Sequence, residues 1–314
     1  MISQPAVDLT MSEAIEAIVT ALRAGLDVEA CPARTSVAVP DGELLLMPAA
    51  VGGYAGVKIA GVAPANPGRG LPRITGSYLL LDGATLLPLA LLDGAALTSL
   101  RTPAVTAVAV DRLAEAGAAH LVLFGAGPQA YGHLDALRAV RPLERVTVVA
   151  RRPGPAEQLA RYARARGLAA QVGGAEAVAR ADLVVCCTTA SEPLFDGALV
   201  PAHAMVAAVG SHSPTGREVD TALVARAACY VEARAVARRE AGDLLLAGPA
   251  TAPERWTNLA ELVAGQADQS GDRVPPDRPR FFKSVGMAWE DLAVAAELYR
   301  RHASLPGDGG GGGG

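Results

Sequence analysis

The hydrophobic pattern changes period along this chain. Residues 11–23 repeat apolar side chains at helical spacing, with Ser12 in the capping position and the helix ending near Arg23. After Pro32 the apolar residues fall into short extended runs at 34–39, 43–47, 54–60, 74–81 and 86–92. Turns such as Pro40-Asp41-Gly42, Asn66-Pro67-Gly68 and Leu81-Asp82-Gly83 separate them. This predicts a meandering antiparallel or mixed sheet. A helix follows over 98–116, with Thr102 as N-cap and Pro103 at the first helical position.

From His120 onward, strand and helix patterns alternate. Apolar runs near 121–124, 145–149, 183–187, 205–209 and 229–231 are separated by helical stretches. Phe281-Phe282-Lys283 forms a last short strand, and 287–302 is an apolar-periodic helix that returns to the first domain. The predicted fold class is α/β: a Rossmann doubly wound domain over 113–287, inserted into a discontinuous α+β domain of residues 1–112 plus 288–306. The glycine run 307–314 has no core-forming side chain and is expected to be disordered.

The turn after residue 124 carries the clearest chemistry. An apolar run enters Gly125-Ala126-Gly127-Pro128-Gln129-Ala130, a G-x-G-x-x-A sequence that opens a helix. Gly125 permits the tight turn, Gly127 lets the backbone approach a pyrophosphate, and Ala130 allows close helix–strand contact. Phosphates then lie at a helix N-terminus, where free N–H groups and the macrodipole favour anions. The next strand ends in Ala150-Arg151-Arg152, where an NAD site would place an acid for the ribose hydroxyls. Arg151 and Arg152 suit a 2′-phosphate, so NADP(H) is favoured and NAD(H) remains possible; the same pair also reads as a solvated loop. Thr188 and Thr189 follow a strand at the carboxyl edge of the sheet, where cofactor contacts gather.

Composition narrows the partners. Half of the 314 residues are hydrophobic, enough for one large core or two moderate ones, and the net charge of −4 offers no basic surface for nucleic acid. Asp82, Gly83, Pro88 and Asp93 break the longest apolar runs, so no membrane span is expected. Acidic Asp8, Glu13 and Glu16 mark the N-terminal segment as an amphipathic helix rather than a secretory leader. Cys31, Cys186, Cys187 and Cys229 show neither C-x-x-C nor Cys/His metal spacing, so free thiols of a cytoplasmic protein are expected, with no metal.

Lysine is scarce. Lys58 and Lys283 are the only lysines among 28 cationic Lys and Arg residues. They mark positions where a guanidinium does not substitute for a compact ammonium that can lose its proton. Lys58 lies in Gly56-Val57-Lys58-Ile59, on the opposite strand face from Val57. Arg34 begins an extended run, and Arg101 precedes Thr102-Pro103. If Arg34, Lys58 and Arg101 converge, they suit a small carboxylate substrate; from spacing alone they read equally well as surface or interface charges. His120 and His133 flank the first Rossmann element and read as structural, and Asp220 as the cap of a helix beginning at Thr221.

Several motifs together resemble the ornithine cyclodeaminase/mu-crystallin family. They are Val57-Lys58, Pro64-Ala65-Asn66-Pro67, Gly70-Leu71-Pro72, residues 79–82, 88–94 and 97–104, and the 125–130 turn. Gly210-Ser211-His212-Ser213-Pro214, Arg217-Glu218-Val219-Asp220 and Phe282-Lys283-Ser284-Val285-Gly286-Met287-Ala288 complete the set. The resemblance covers nearly the whole chain except the tail. It implies a homodimer, with 1–112 plus 288–306 binding substrate and dimerising, and Arg34, Lys58 and Arg101 at the carboxylate-binding and catalytic positions. Ser284 is implied near the nicotinamide.

Within that resemblance three positions differ from the cyclodeaminases. His212 stands where they carry Asp, Ala150-Arg151 where they keep an acid, and Arg73 where they have Thr. The expected reaction is therefore NAD(P)H-dependent reduction of a ketimine carboxylate, such as Δ1-pyrroline-2-carboxylate or Δ1-piperideine-2-carboxylate, to L-proline or L-pipecolate. Lys58 acts there as acid or as carboxylate ligand only, and His212 contacts substrate or nicotinamide ribose or serves only its loop. The alternatives are an ornithine or lysine cyclodeaminase, an alanine-type amino-acid dehydrogenase, and a non-catalytic NADP(H)-dependent small-ligand binding protein.

Overall fold

Thr10, two residues before the expected cap, opens the first helix. Its hydroxyl accepts from the Glu13 N–H, and the Glu13 carboxylate accepts from the Thr10 N–H at 2.7 Å, a reciprocal capping box. Ser12 is displaced from the cap because Thr10 and Glu13 have the three-residue spacing that satisfies two N–H groups at once. The computed structural model describes the backbone of residues 2–3 and residues 7–265 and 277–304. The glycine run 307–314 lies outside the described residues.

The antiparallel-sheet domain contains β1 (Ile2–Ser3), α1 (Met11–Arg23), β2 (Thr35–Val39), β3 (Gly42–Val51), β4 (Tyr54–Val62), β5 (Ile74–Asp82), β6 (Pro88–Asp93) and α2 (Gly94–Leu113). The sheet order is β1-β6-β5-β4-β3-β2, with β1 parallel to β6 and the other pairs antiparallel. Strand period two sorts its side chains. Leu45, Met47, Ala49, Lys58, Ala60, Tyr78 and Leu80 are buried, whereas Val37, Val39, Leu44 and Ile59 project from the opposite face and are exposed.

Two boundaries differ from the sequence reading. Helix α2 starts at Gly94, because Asp93 caps it by accepting from the Ala95 and Ala96 N–H groups; Pro103 then lies inside the helix, and Thr102 is not its cap. The helix over Pro128–Val140 presses Gly132 against this point, where an added Cβ would meet the Pro103 Cγ at 2.7 Å. Residues 86 and 87 belong to a turn rather than to β6. Asp82 accepts from the Ala84 and Thr85 N–H groups, and Leu86 takes a left-handed φ of 57° before Pro88 begins the strand.

The parallel-sheet domain runs through β7 (His120–Phe124), α3 (Pro128–Val140), β8 (Arg145–Val149), α4 (Pro153–Arg164), β9 (Ala169–Val172) and β10 (Leu183–Cys186). It continues through β11 (Met205–Ala208), α5 (Thr221–Arg226), β12 (Ala228–Val231), α6 (Arg234–Glu240), α7 (Gly242–Leu245), β13 (Thr257–Asn258), α8 (Leu259–Ala264) and β14 (Arg280–Lys283). All pairs in the order β13-β12-β14-β11-β10-β7-β8-β9 are parallel. Strands β9 and β13 escape the hydrophobic pattern: one is largely exposed, and the other has two residues. The order reverses between β7 and β10, and ligands bind beyond the carboxyl ends of strands at such a switch point. The chain then returns: α9 (Ala288–Ser304) packs on α1, α2 and the inner face of β3 and β4. Among the described residues no helix is long and apolar enough to cross a membrane.

Candidate active site

The glycine turn sits at the switch point. Gly125 has φ +106°, and an added Cβ would strike the Cys187 carbonyl oxygen at 2.5 Å. Both facts require glycine there. At Gly127 a Cβ would meet nothing within 4 Å, so the N-terminus of α3 opens onto free space. Ala130 is fully buried, as close helix–strand packing demands. The Gly125 N–H donates to the Val149 carbonyl at 2.9 Å, which places Ala150, Arg151 and Arg152 beside the turn, with both arginines exposed. The Cys187 N–H donates to the Phe124 carbonyl and brings Thr188 and Thr189 to the other side. These residues fit a dinucleotide: a cradle that a side chain would fill, a 13-residue helix with open N–H groups, and cations at the neighbouring strand end.

Beyond the end of β14, at the same carboxyl edge of the sheet, the three cations of the other domain gather around the segment that leads into α9. Lys58 Nζ lies 2.7 Å from Asp291 Oδ2 and donates to the Thr98 hydroxyl at 3.2 Å. Arg101 pairs with Glu290 Oε2 at 2.5 Å and, through Nε, with Asp291 Oδ1 at 3.4 Å. Its guanidinium covers Gly286, where an added Cβ would fall 2.9 Å from Nη1. Arg34 approaches from the other side. Its Nη2 donates to the Val285 and Gly286 carbonyls at 2.7 and 2.8 Å and pairs with Glu240 at 2.8 Å. Among the described residues, Nε and Nη1 of Arg34 and Nη2 of Arg101 have no hydrogen-bond partner.

The acids of this cluster were not recognised in the sequence. Glu232, at the end of β12, accepts from the Ser284 hydroxyl at 2.6 Å and from the Val285 and Gly286 N–H groups. Ser284 is thus buried and its hydroxyl engaged. Burial, and then the facing Glu232 carboxylate, push the Glu290 carboxyl well above the usual range. Burial also lowers the Lys58 pKa, opposed by Asp291 and assisted by Arg101. Desolvation is the main cause of the downward shift. One signal for the acids was present: Glu290 and Asp291 sit together in an otherwise apolar helix start, Ala288-Trp289-Glu290-Asp291-Leu292. Buried acids at such a place require cationic partners.

His212 occupies the loop beyond β11. Its side chain is exposed. Partial desolvation, then Arg34 and Lys283, lower its pKa, with Glu43 acting oppositely and Arg73 in the same direction. His120 is tied to Arg180 and Thr147 within the parallel-sheet domain, His133 to Gln129 and to Thr106 of α2, and Asp220 caps α5.

The sheet order and the turn at its switch point put this chain among the nicotinamide-dependent oxidoreductases. It belongs to the ornithine cyclodeaminase/mu-crystallin family, whose profile matches residues 3–305. The chain is 34% identical over 281 residues to a Δ1-pyrroline-2-carboxylate reductase of Bacillus cereus, covering 86% of this chain and 85% of that protein. The structure is similar, with a TM-score of 0.89, to Thermococcus litoralis Δ1-pyrroline-2-carboxylate reductase in complex with NADH and L-proline; identity is 29%, and 96% and 98% of the two chains are covered. It is equally similar, at 0.89 and 30% identity, to an archaeal alanine dehydrogenase solved as a dimer with bound NAD, covering 96% and 95% of the two chains.

Proposed function

We propose that the protein reduces the C=N bond of a small cyclic ketimine carboxylate, Δ1-pyrroline-2-carboxylate or Δ1-piperideine-2-carboxylate, to L-proline or L-pipecolate at the expense of NADPH. The observation that carries this reading is the cluster of Lys58, Arg101 and Arg34 around residues 285–291, at the same sheet edge as a glycine turn suited to a dinucleotide. Similarity to a reductase holding NADH and L-proline supports it.

Gly125, Ala126, Gly127, Pro128, Gln129 and Ala130 hold the pyrophosphate, and Thr188, Thr189 and Ser284 lie toward the nicotinamide end. Arg151 and Arg152 receive a 2′-phosphate, which favours NADP(H); NAD(H) is the second reading, supported by the NADH-bound relative. The bound cofactor supplies a hydride to the imine carbon, while the nitrogen gains a proton. Arg34 and Arg101 turn their free N–H groups to the substrate carboxylate and fix the face presented to the cofactor. Lys58 Nζ carries the proton: burial makes it more acidic than a solvated lysine, and Asp291 keeps it charged until substrate arrives. Burial and the neighbouring Glu232 raise the Glu290 carboxyl against the lowering effect of Arg101, which weakens its opposition to an anionic substrate. His212 contacts the substrate's ring side.

The substrate-binding unit is 1–112 plus 288–306, and the cofactor unit 113–287. The exposed apolar face bearing Val37, Val39, Leu44 and Ile59 pairs with a second copy in a homodimer. Four free thiols fit a cytoplasmic protein. The test is a substrate comparison. The cyclic imines with NADPH should be turned over, with pyruvate plus ammonia far slower. Release of ammonia and proline from ornithine without added cofactor would overturn the reading in favour of a cyclodeaminase.

A further inference from the structure

Lys283 is the second of the two lysines and takes no part in the chemistry above. It ends β14, between β11 and β12, and its side chain is fully buried. Nζ donates to the Ser211 carbonyl at 2.7 Å and pairs with Asp243 Oδ2 at 2.9 Å. Asp243, on α7, accepts through Oδ1 from the Glu218 and Val219 N–H groups at 2.6 and 2.9 Å. Glu218 reaches back to the Gly210 N–H at 2.7 Å and the Thr188 N–H at 2.8 Å. Both ends of the loop between Gly210 and Val219 are therefore fastened to one buried ion pair.

The loop is also closed on itself and pressed onto its support. Ser211 Oγ donates to the Gly216 carbonyl at 3.0 Å, and a Cβ on Gly242 would strike the Gly216 and Ser213 carbonyl oxygens at 2.1 and 2.4 Å. What this clasp leaves projecting is His212, exposed, with no hydrogen bond to any described residue. We infer that Lys283 is a positioning residue: through the Ser211 carbonyl and Asp243 it fixes the loop that presents His212 beyond β11, at the carboxyl edge of the sheet. The inference rests on the proposed function for the identity of what binds there.

Stability alone gives little reason for the pair. A fully buried ion pair costs about as much in desolvation as it returns, and an apolar replacement of similar volume is often neutral. Arginine fills nearly every other cationic position, whereas this fully buried one carries a compact ammonium shared between Ser211 and Asp243. The ammonium also contributes charge at His212, alongside Arg34 and Arg73 and against Glu43.

The test combines turnover with NMR titration of His212. Lys283→Met should raise the pH at which His212 titrates and lower kcat/KM for the cyclic imine about tenfold, the scale of losing a supporting contact. The affinity for NADPH should change far less, and Lys283→Arg should not rescue turnover. Lys283→Met/Asp243→Asn strands no charge and keeps the experiment readable if the single variant does not fold. Unchanged His212 titration and unchanged kcat/KM in a folded variant would overturn the inference. If the wild type turns over no imine, the proposed function fails, and the His212 titration still decides for or against the clasp.

Discussion

Lys58 and Asp291 stand 233 positions apart in the chain and 2.7 Å apart in the fold. Their pairing joins the inner face of a β-strand to the first turn of the last helix. Burial lowers the Lys58 pKa and Asp291 raises it. Asp291→Asn removes the raising partner, so Lys58 should lose its proton at lower pH than in the wild type. The alkaline limb of the kcat/KM profile should move to lower pH, and kcat/KM at neutral pH should fall about a hundredfold, the scale of breaking a buried ion pair. An unmoved limb would detach Lys58 from the proton transfer.

Arg151 tests cofactor choice. It follows the strand that receives the Gly125 N–H bond, beside the pyrophosphate cradle. Arg151→Ala should raise KM for NADPH about 10- to 100-fold, the worth of charge-assisted bonds to a phosphate, and leave KM for NADH nearly unchanged. Equal effects on both cofactors would remove the 2′-phosphate assignment.

His133 governs part of the acid stability. It is fully buried against Thr106 and the Gln129 carbonyl, and burial pushes its pKa down to about 4. The folded state therefore binds fewer protons than the unfolded chain below the ordinary histidine pKa. Its contribution is fully present above about pH 6.5 and is lost as pH falls from there through about 4, amounting to roughly 3 kcal/mol. Melting temperature should drop through that window, and the His133 ring should remain neutral by NMR down to about pH 4. A ring that titrates near 6.5 would contradict this.

The parallel sheet and its glycine turn were legible because buried parallel strands read as continuous apolar runs, and because Gly125 answers a local backbone demand. Lys58's face followed from strand period alone. The start of α2 was not legible: Thr102-Pro103 imitates a helix opening, while the true cap, Asp93, closes a strand one residue earlier. The acids of the site were hidden for a different reason. Glu290 meets Arg101 across 189 positions, and the helical period that returns α9 to the first domain does not show which cations its acids meet there. Their only trace was a pair of charges inside an apolar helix start.

Hydride transfer with net consumption of cofactor is the centre of this account, and isotope labelling measures it directly. NADPH carrying deuterium at both C4 positions should be incubated with Δ1-pyrroline-2-carboxylate, and the product examined by mass spectrometry and NMR. The L-proline formed should carry one deuterium at Cα for each NADPH oxidised. Proline without deuterium, or turnover that leaves NADPH unconsumed, would contradict it.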